Sequence, residues 1–175
     1  NVVPDYVWFN GQVKYTTQDM KIDPDQVLRI NEFLGGPDDP QARIWPVKRF
    51  EGRQPYDKVH LQLLVPHTAT PDDTAFWFNF DWPKALQAGA TATGQPYSGQ
   101  HGFVKTEMLW PITHMVAPAR DAVACASCHT GASQSRLGEL PGVYLPGRDR
   151  HRWIDTLGWL VVAGALTGVL VHAGA

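Results

Sequence analysis

Cys125-Ala126-Ser127-Cys128-His129 is the stretch on which the expected fold turns. It has the form C-x-x-C-H, the attachment sequence for a c-type haem. Two thiols three positions apart can add to the two vinyl groups of one porphyrin, and the adjoining His129 then lies under the iron as its proximal ligand. The chain has 2 Cys, and this reading uses both. A thioredoxin-type dithiol would want a βαβ context, which the flanks do not show, and a zinc site would want a second ligand pair at short spacing. A covalently held macrocycle also relieves the polypeptide of building a large core of its own. The expected fold is therefore mainly α with extensive irregular loops. A haem-binding region over residues 1–150 precedes one C-terminal transmembrane helix over residues 151–175.

Composition agrees with a loop-rich chain. Its 175 residues suit one ordinary domain. Gly 16 and Pro 14 together make up about a sixth of it, above the usual share of roughly 12%. Trp 7, Phe 7 and Tyr 5 bring many large planar surfaces that need cover. A net charge of -2 excludes a strongly basic nucleic-acid binder, and 18% charged residues exclude a charged disordered tail. Asn1 is not an initiator Met and no signal peptide precedes it, while the C-terminus stops directly after an apolar run, so the chain reads as either a processed mature form or a piece of something longer.

Upstream of the motif the local signals are short. Asp23-Pro24-Asp25 ahead of Gln26 to Leu34 predicts a capped helix ending at Gly35-Gly36. Val59 to Val65 predicts a strand closed by Pro66. Asp81 to Gly89 predicts a helix with Asp81 as cap and Gly89 as stop, and Gly89 to Gly102 reads as loop. Downstream, only Asp155 carries a charge between Trp153 and Val171. Those roughly 19 residues would span ~28 Å as a helix, close to the hydrocarbon thickness of a bilayer. Trp153 and Trp159 lie toward its start, where indoles favour the interface, and Gly164 and Gly168 form a GxxxG pair. Haem c is attached outside the cytoplasm, which places Cys125 to His129 on the periplasmic side of the bacterial inner membrane. Arg148, Arg150 and Arg152 pull the other way by the positive-inside rule. The haem, whose chemistry is compartment-specific, decides.

Histidines are the candidates for the sixth iron position. His114, eleven positions before Cys125, is the favoured distal ligand of this haem or of a neighbouring one. His101 and Met115 follow, and His60 and His67 are further imidazoles whose ordinary role is a hydrogen-bonded surface group. His172 sits at the far end of the apolar run, placed equally for a haem b between helices or for an interfacial side chain.

Several segments, taken in order, resemble the C-terminal region of the octahaem tetrathionate reductase family of multihaem c-type cytochromes. They are Gln54 to Val59, Leu63 to Pro66, Phe80-Asp81-Trp82, Pro96 to Gly99, and above all Thr106 to Pro118. The likeness runs through the Cys125 motif into Leu145 to Asp149 and covers most residues from Ile44 to Asp149. It implies a multihaem cytochrome c type domain in a periplasmic reductase of sulfur or nitrogen oxyanions, whose haems relay electrons to one catalytic haem. Eight attachment motifs belong to the family and this sequence has one, so no catalytic residue maps onto it. The motif would be a relay site in the membrane-anchored end of the assembly. Its implied partners are other haem-bearing segments or subunits, the lipid bilayer and a quinol-oxidising cytochrome b-like protein. The competing reading is a membrane-tethered monohaem cytochrome acting as an electron shuttle or relay subunit. Under either, the segment itself transfers electrons, and no nucleic acid is involved.

Overall fold

A computed structural model of the chain describes residues 3–113, 117–130, 134–145 and 149–174. The chain divides into two compact units, residues 1–114 and 115–175.

The first unit is organised by two long strands. β5 (Arg43–Asp57) runs antiparallel to β7 (His101–Pro111) through eleven paired positions, from Val47↔Pro111 to Asp57↔His101. β1 (Asp5–Phe9) and β6 (Gln62–Leu63) pair with opposite ends of β5, and β3 (Leu28–Arg29) lies parallel to β7. The order is β1-β5-β7-β3, a curled mixed sheet. A second, two-stranded sheet joins β2 (Val13–Tyr15) to β4 (Asn31–Phe33). The Asn31 side chain ties the two together: its amide donates to the Leu109 carbonyl at 2.7 Å and its oxygen accepts from the Leu109 N–H at 2.8 Å, as a neighbouring strand would. α1 (Phe76–Asn79) and α2 (Trp82–Thr93) follow β6. Val47, Val104, Leu64, Ala85 and Leu86 are buried.

This corrects the expectation of a mainly α chain. Helix and strand take 27% and 26% of it, and β5 and β7 fall where Pro46, Gly52, Pro55 and Gly102 suggest loop. The prolines are tolerated because of where their missing N–H groups would point. The Pro46 carbonyl accepts from Ile112, beyond the last paired position, and the Pro55 carbonyl accepts from Leu64, away from β7. In an antiparallel strand a residue's N–H and C=O share a side. Neither proline therefore removes a bond from the β5–β7 ladder.

Three local expectations also change. Gln26 to Leu34 is not helical. Asp23 does cap a turn, accepting from Asp25 N at 3.0 Å, but the Ile30 N–H bonds to the Glu107 carbonyl of β7 and the segment becomes β3 and β4. A single turn is a costly nucleus, so a strand partner wins before the helix propagates. In the predicted strand at Val59 to Val65, only β6 is extended in a sheet. Val59 and His60 belong to a turn, and Leu61 has φ 54°. α2 starts as expected, with Asp81 accepting from Lys84 N at 3.1 Å, yet it runs through Gly89 to stop at Gly94, φ 67°. Gly89 is there for proximity, since a Cβ on it would lie 1.8 Å from the Val65 carbonyl oxygen.

The second unit contains two short 3-10 turns, Ala119–Asp121 and Cys125–Ser127, and then α3 (Arg152–Ala173). α3 has 22 residues, about 33 Å at 1.5 Å per residue, and its apolar window is wholly exposed. Its length and composition are sufficient to cross a membrane.

Candidate functional site

The C-x-x-C-H segment folds into one tight turn. Cys125 opens the 3-10 helix, and its carbonyl accepts from both Cys128 N, at 3.1 Å, and His129 N, at 2.8 Å. The second bond has helical i→i+4 span, so Cys125, Cys128 and His129 occupy positions i, i+3 and i+4 of one turn and lie on one face. Small Ala126 and Ser127 between the thiols allow the tight winding. The segment that follows is bonded back to the turn. Ser135 Oγ donates to the Cys128 carbonyl at 2.7 Å, and Arg136 N donates to the Ser127 carbonyl at 2.8 Å. Leu137 N in turn donates to Ser135 Oγ at 3.1 Å.

Neither cysteine forms a disulfide; Cys125 is exposed and Cys128 half-buried, and His129 is exposed. Two thiols and an imidazole in one turn are the donor set a c-type haem needs, thioether sulfurs for two vinyl carbons and a ring nitrogen for iron. The residues fit that group. A zinc site would need further ligands, and no group of three or more His, Cys, Asp or Glu side chains suited to a metal occurs among the described residues.

The other candidates have settings of their own. His114 and Met115 lie outside the described residues. His101 begins β7 in the first unit, where its Nδ1 is 3.5 Å from the Tyr97 hydroxyl and its ring meets Phe103 edge-on at 5.8 Å. His60 belongs to the turn after β5. His67 Nε2 is 3.0 Å from the Asp72 carboxylate and 2.7 Å from Thr70 Oγ1, the ordinary hydrogen-bonded role. His172 falls in the last turn of α3.

Asp57, which the sequence reading passed over, organises the end of the β5–β7 ladder. It is 0% exposed and faces His101 across the register. Its carboxylate accepts from Val59 N and His60 N at 2.8 Å each, from Ser98 N at 2.6 Å and from Ser98 Oγ at 3.0 Å. Burial pushes this carboxyl up, but the four donors outweigh it and hold it below its ordinary value of 3.8. Tyr97 is pushed up in its turn, first by burial and then by the Asp57 charge. One buried carboxylate thus fixes the backbone around both His60 and His101. The sequence signal for it is the Asp57-Lys58-Val59-His60 spacing, which suits an aspartate bonding backbone N–H groups two and three residues on. Ser135 gives no comparable signal within its small polar neighbourhood.

Residues 1–132 match the family model described as bacterial cytochrome c, a span that includes the whole C-x-x-C-H turn. Among solved structures, the octaheme cytochrome c from Shewanella oneidensis is similar, with a TM-score of 0.72 and 31% sequence identity. That likeness covers 83% of this chain and 34% of the other, so the chain spans about a third of that protein's length. No curated protein matches the sequence.

Proposed function

Because the chain belongs to the bacterial cytochrome c family and serves electron transfer through a covalently bound c-type haem, we propose that Cys125 and Cys128 hold this haem as thioethers and that His129 is its proximal iron ligand. The observation that supports the assignment is the turn at 125–129, which brings Cys125, Cys128 and His129 into one hydrogen-bonded turn. The bound haem supplies one-electron Fe(III)/Fe(II) chemistry. The chain's residues supply position. The Cys125 carbonyl holds Cys128 and His129 in the turn, and Ser135 and Arg136 brace its trailing side. A braced turn keeps the imidazole in place as the charge on iron changes. His114 remains the candidate for the distal position, and His101, held by the Asp57 network, is the second.

The wider reading is a membrane-anchored C-terminal part of an octahaem tetrathionate reductase-like complex. Sulfur or nitrogen oxyanions would be reduced at a haem outside this segment. Two features support it: the likeness to about a third of an octahaem protein and the single attachment motif in 175 residues. α3 is the proposed anchor, with Trp153 and Trp159 toward its start, and the haem-bearing side is periplasmic. A quinol-oxidising membrane cytochrome is a fitting electron donor, and His172 is where a haem b could meet α3. The single motif also suits a second reading, a tethered monohaem shuttle.

Haem stoichiometry in the native assembly separates the two. The pyridine haemochrome assay with protein quantitation is expected to give several haems per copy of this chain; a ratio of one would favour the shuttle. Tetrathionate or hydroxylamine reduction with a viologen donor is expected from the assembly and not from this chain alone. Replacing both Cys125 and Cys128 with Ser should remove all haem that survives denaturation, and haem retained by that variant would overturn the assignment.

A further inference from the structure

The two faces of the β5–β7 ladder have unlike chemistry. Residues opposite each other across an antiparallel pair share a face. Arg49, Glu51 and Arg53 lie opposite Leu109, Glu107 and Lys105, and Arg49 bridges Glu107 at 2.5 Å and Asp5 at 2.7 Å. That face is built for water. On the other, Phe50, Gly52 and Gln54 lie opposite Met108, Thr106 and Val104, with Trp110 next along β7. Val104 and Thr106 are buried, whereas Phe50 and Trp110 remain 54% and 53% exposed, their rings edge-to-face at 6.2 Å. Lys48, opposite Trp110, is the one charged residue of this face along the paired stretch from Lys48 to Gln54, and large aromatics left this open on it mark a surface made for contact.

A groove of about 570 Å³ opens there, lined by Phe50, Gly52, Gln54, Thr106, Met108 and Trp110 among others. Gly52 is its second signature. Glycine weakens a strand interior and is used where the backbone must bend or another group approaches closely. Gly52 does not have positive φ, and a Cβ on it would meet only Thr106 Oγ1, at an ordinary 3.5 Å. Among the described residues no neighbour crowds that position. Gly102 on β7 differs, since there a Cβ would lie 2.7 Å from the Tyr56 ring. The space above Gly52 is therefore kept for something from outside.

We propose that this groove is a porphyrin seat: the face of a c-type haem carried by another polypeptide segment lies over Gly52 and Thr106 against the Phe50–Trp110 pair. The inference rests on the reading of this chain as part of a multihaem assembly. A flat, largely apolar macrocycle fits a lining dominated by aromatic, thioether, aliphatic and small side chains, with Glu51 the one charged residue among them. The Met108 thioether, which lines the groove, would add favourable sulfur–ring contact to a bound macrocycle.

The test uses the full chain with its own haem, reconstituted in lipid nanodiscs, and metal-free protoporphyrin IX as probe. Porphyrin absorbance and fluorescence are titrated with binding to empty nanodiscs subtracted. Saturable binding is expected, weakened about tenfold or more by Gly52→Leu, which fills the floor, and by Trp110→Ser, which removes the wall. Circular dichroism and the covalent haem's absorption should be unchanged in both variants. Absence of saturable binding, or binding indifferent to both substitutions, would overturn the proposal. So would self-association that Gly52→Leu abolishes without any porphyrin binding, which would make the groove a contact between copies. Failure of the Cys125–Cys128 assignment reads out separately, as loss of the covalent haem band in the unsubstituted chain.

Discussion

At Asp57 four hydrogen bonds compete with burial, and the bonds win. A carboxyl held below its ordinary 3.8 adds stability that is present above that value and is lost as pH falls through the lower, folded value. Asp57→Ala leaves four donors short of an acceptor and should cost about 1–3 kcal/mol at pH 7. In urea unfolding, the gap between the two proteins should narrow as pH drops below 4 or so. A gap that is constant with pH would mean the carboxylate charge is immaterial. Gly89 gives a sharper case. Alanine normally favours a helix interior over glycine by ~1 kcal/mol, yet here its methyl would meet the Val65 carbonyl oxygen at 1.8 Å. Gly89→Ala should therefore destabilise by roughly 2 kcal/mol or more, and a stabilised variant would refute the close approach of α2 to residues 65–67. His129→Ala isolates the imidazole. The thioethers should keep the haem on the chain while its absorption shifts because the iron has lost its proximal nitrogen.

Among the elements, those specified by local chemistry were legible in the sequence. The Asp81 cap predicts the start of α2, and Asp81→Ala should lower thermal stability by about 1 kcal/mol through the lost bond to Lys84 N. The uninterrupted apolar run predicts α3. If α3 crosses a bilayer, Val162→Arg near its middle should cost roughly 2.5–3.5 kcal/mol of insertion and release chain into the alkaline carbonate wash. Unchanged membrane retention would speak against a span. The β5–β7 ladder was not legible, for a physical reason. What makes Arg43–Asp57 a strand is a partner more than forty residues later, and its prolines are harmless because Pro55 faces away from β7 and Pro46 lies past the last position paired with β7. Gln26 to Leu34 shows the converse: its cap signal is real, and β7 overrides it. At the candidate site, two cysteines and a histidine could be read directly from their spacing. For the carboxylate that braces His60 and His101, only the local bonds to Val59 and His60 had a sequence signal, because Ser98, its other anchor, lies 41 residues from it.

For the molecule as a whole, a sheet-based unit and a unit bearing the C-x-x-C-H turn and α3 are joined in one chain of a cytochrome c family. The turn at Cys125 and the groove over Gly52 are the places proposed for haem contact. The central claim is that both sulfurs of that turn carry one haem, and the most direct measurement is the mass of the tryptic peptide Asp121–Arg136 from chain made in cells able to mature cytochromes. The account predicts a peptide heavier by one haem, with neither cysteine open to alkylation. A bare peptide, alkylated at both Cys125 and Cys128, would contradict it.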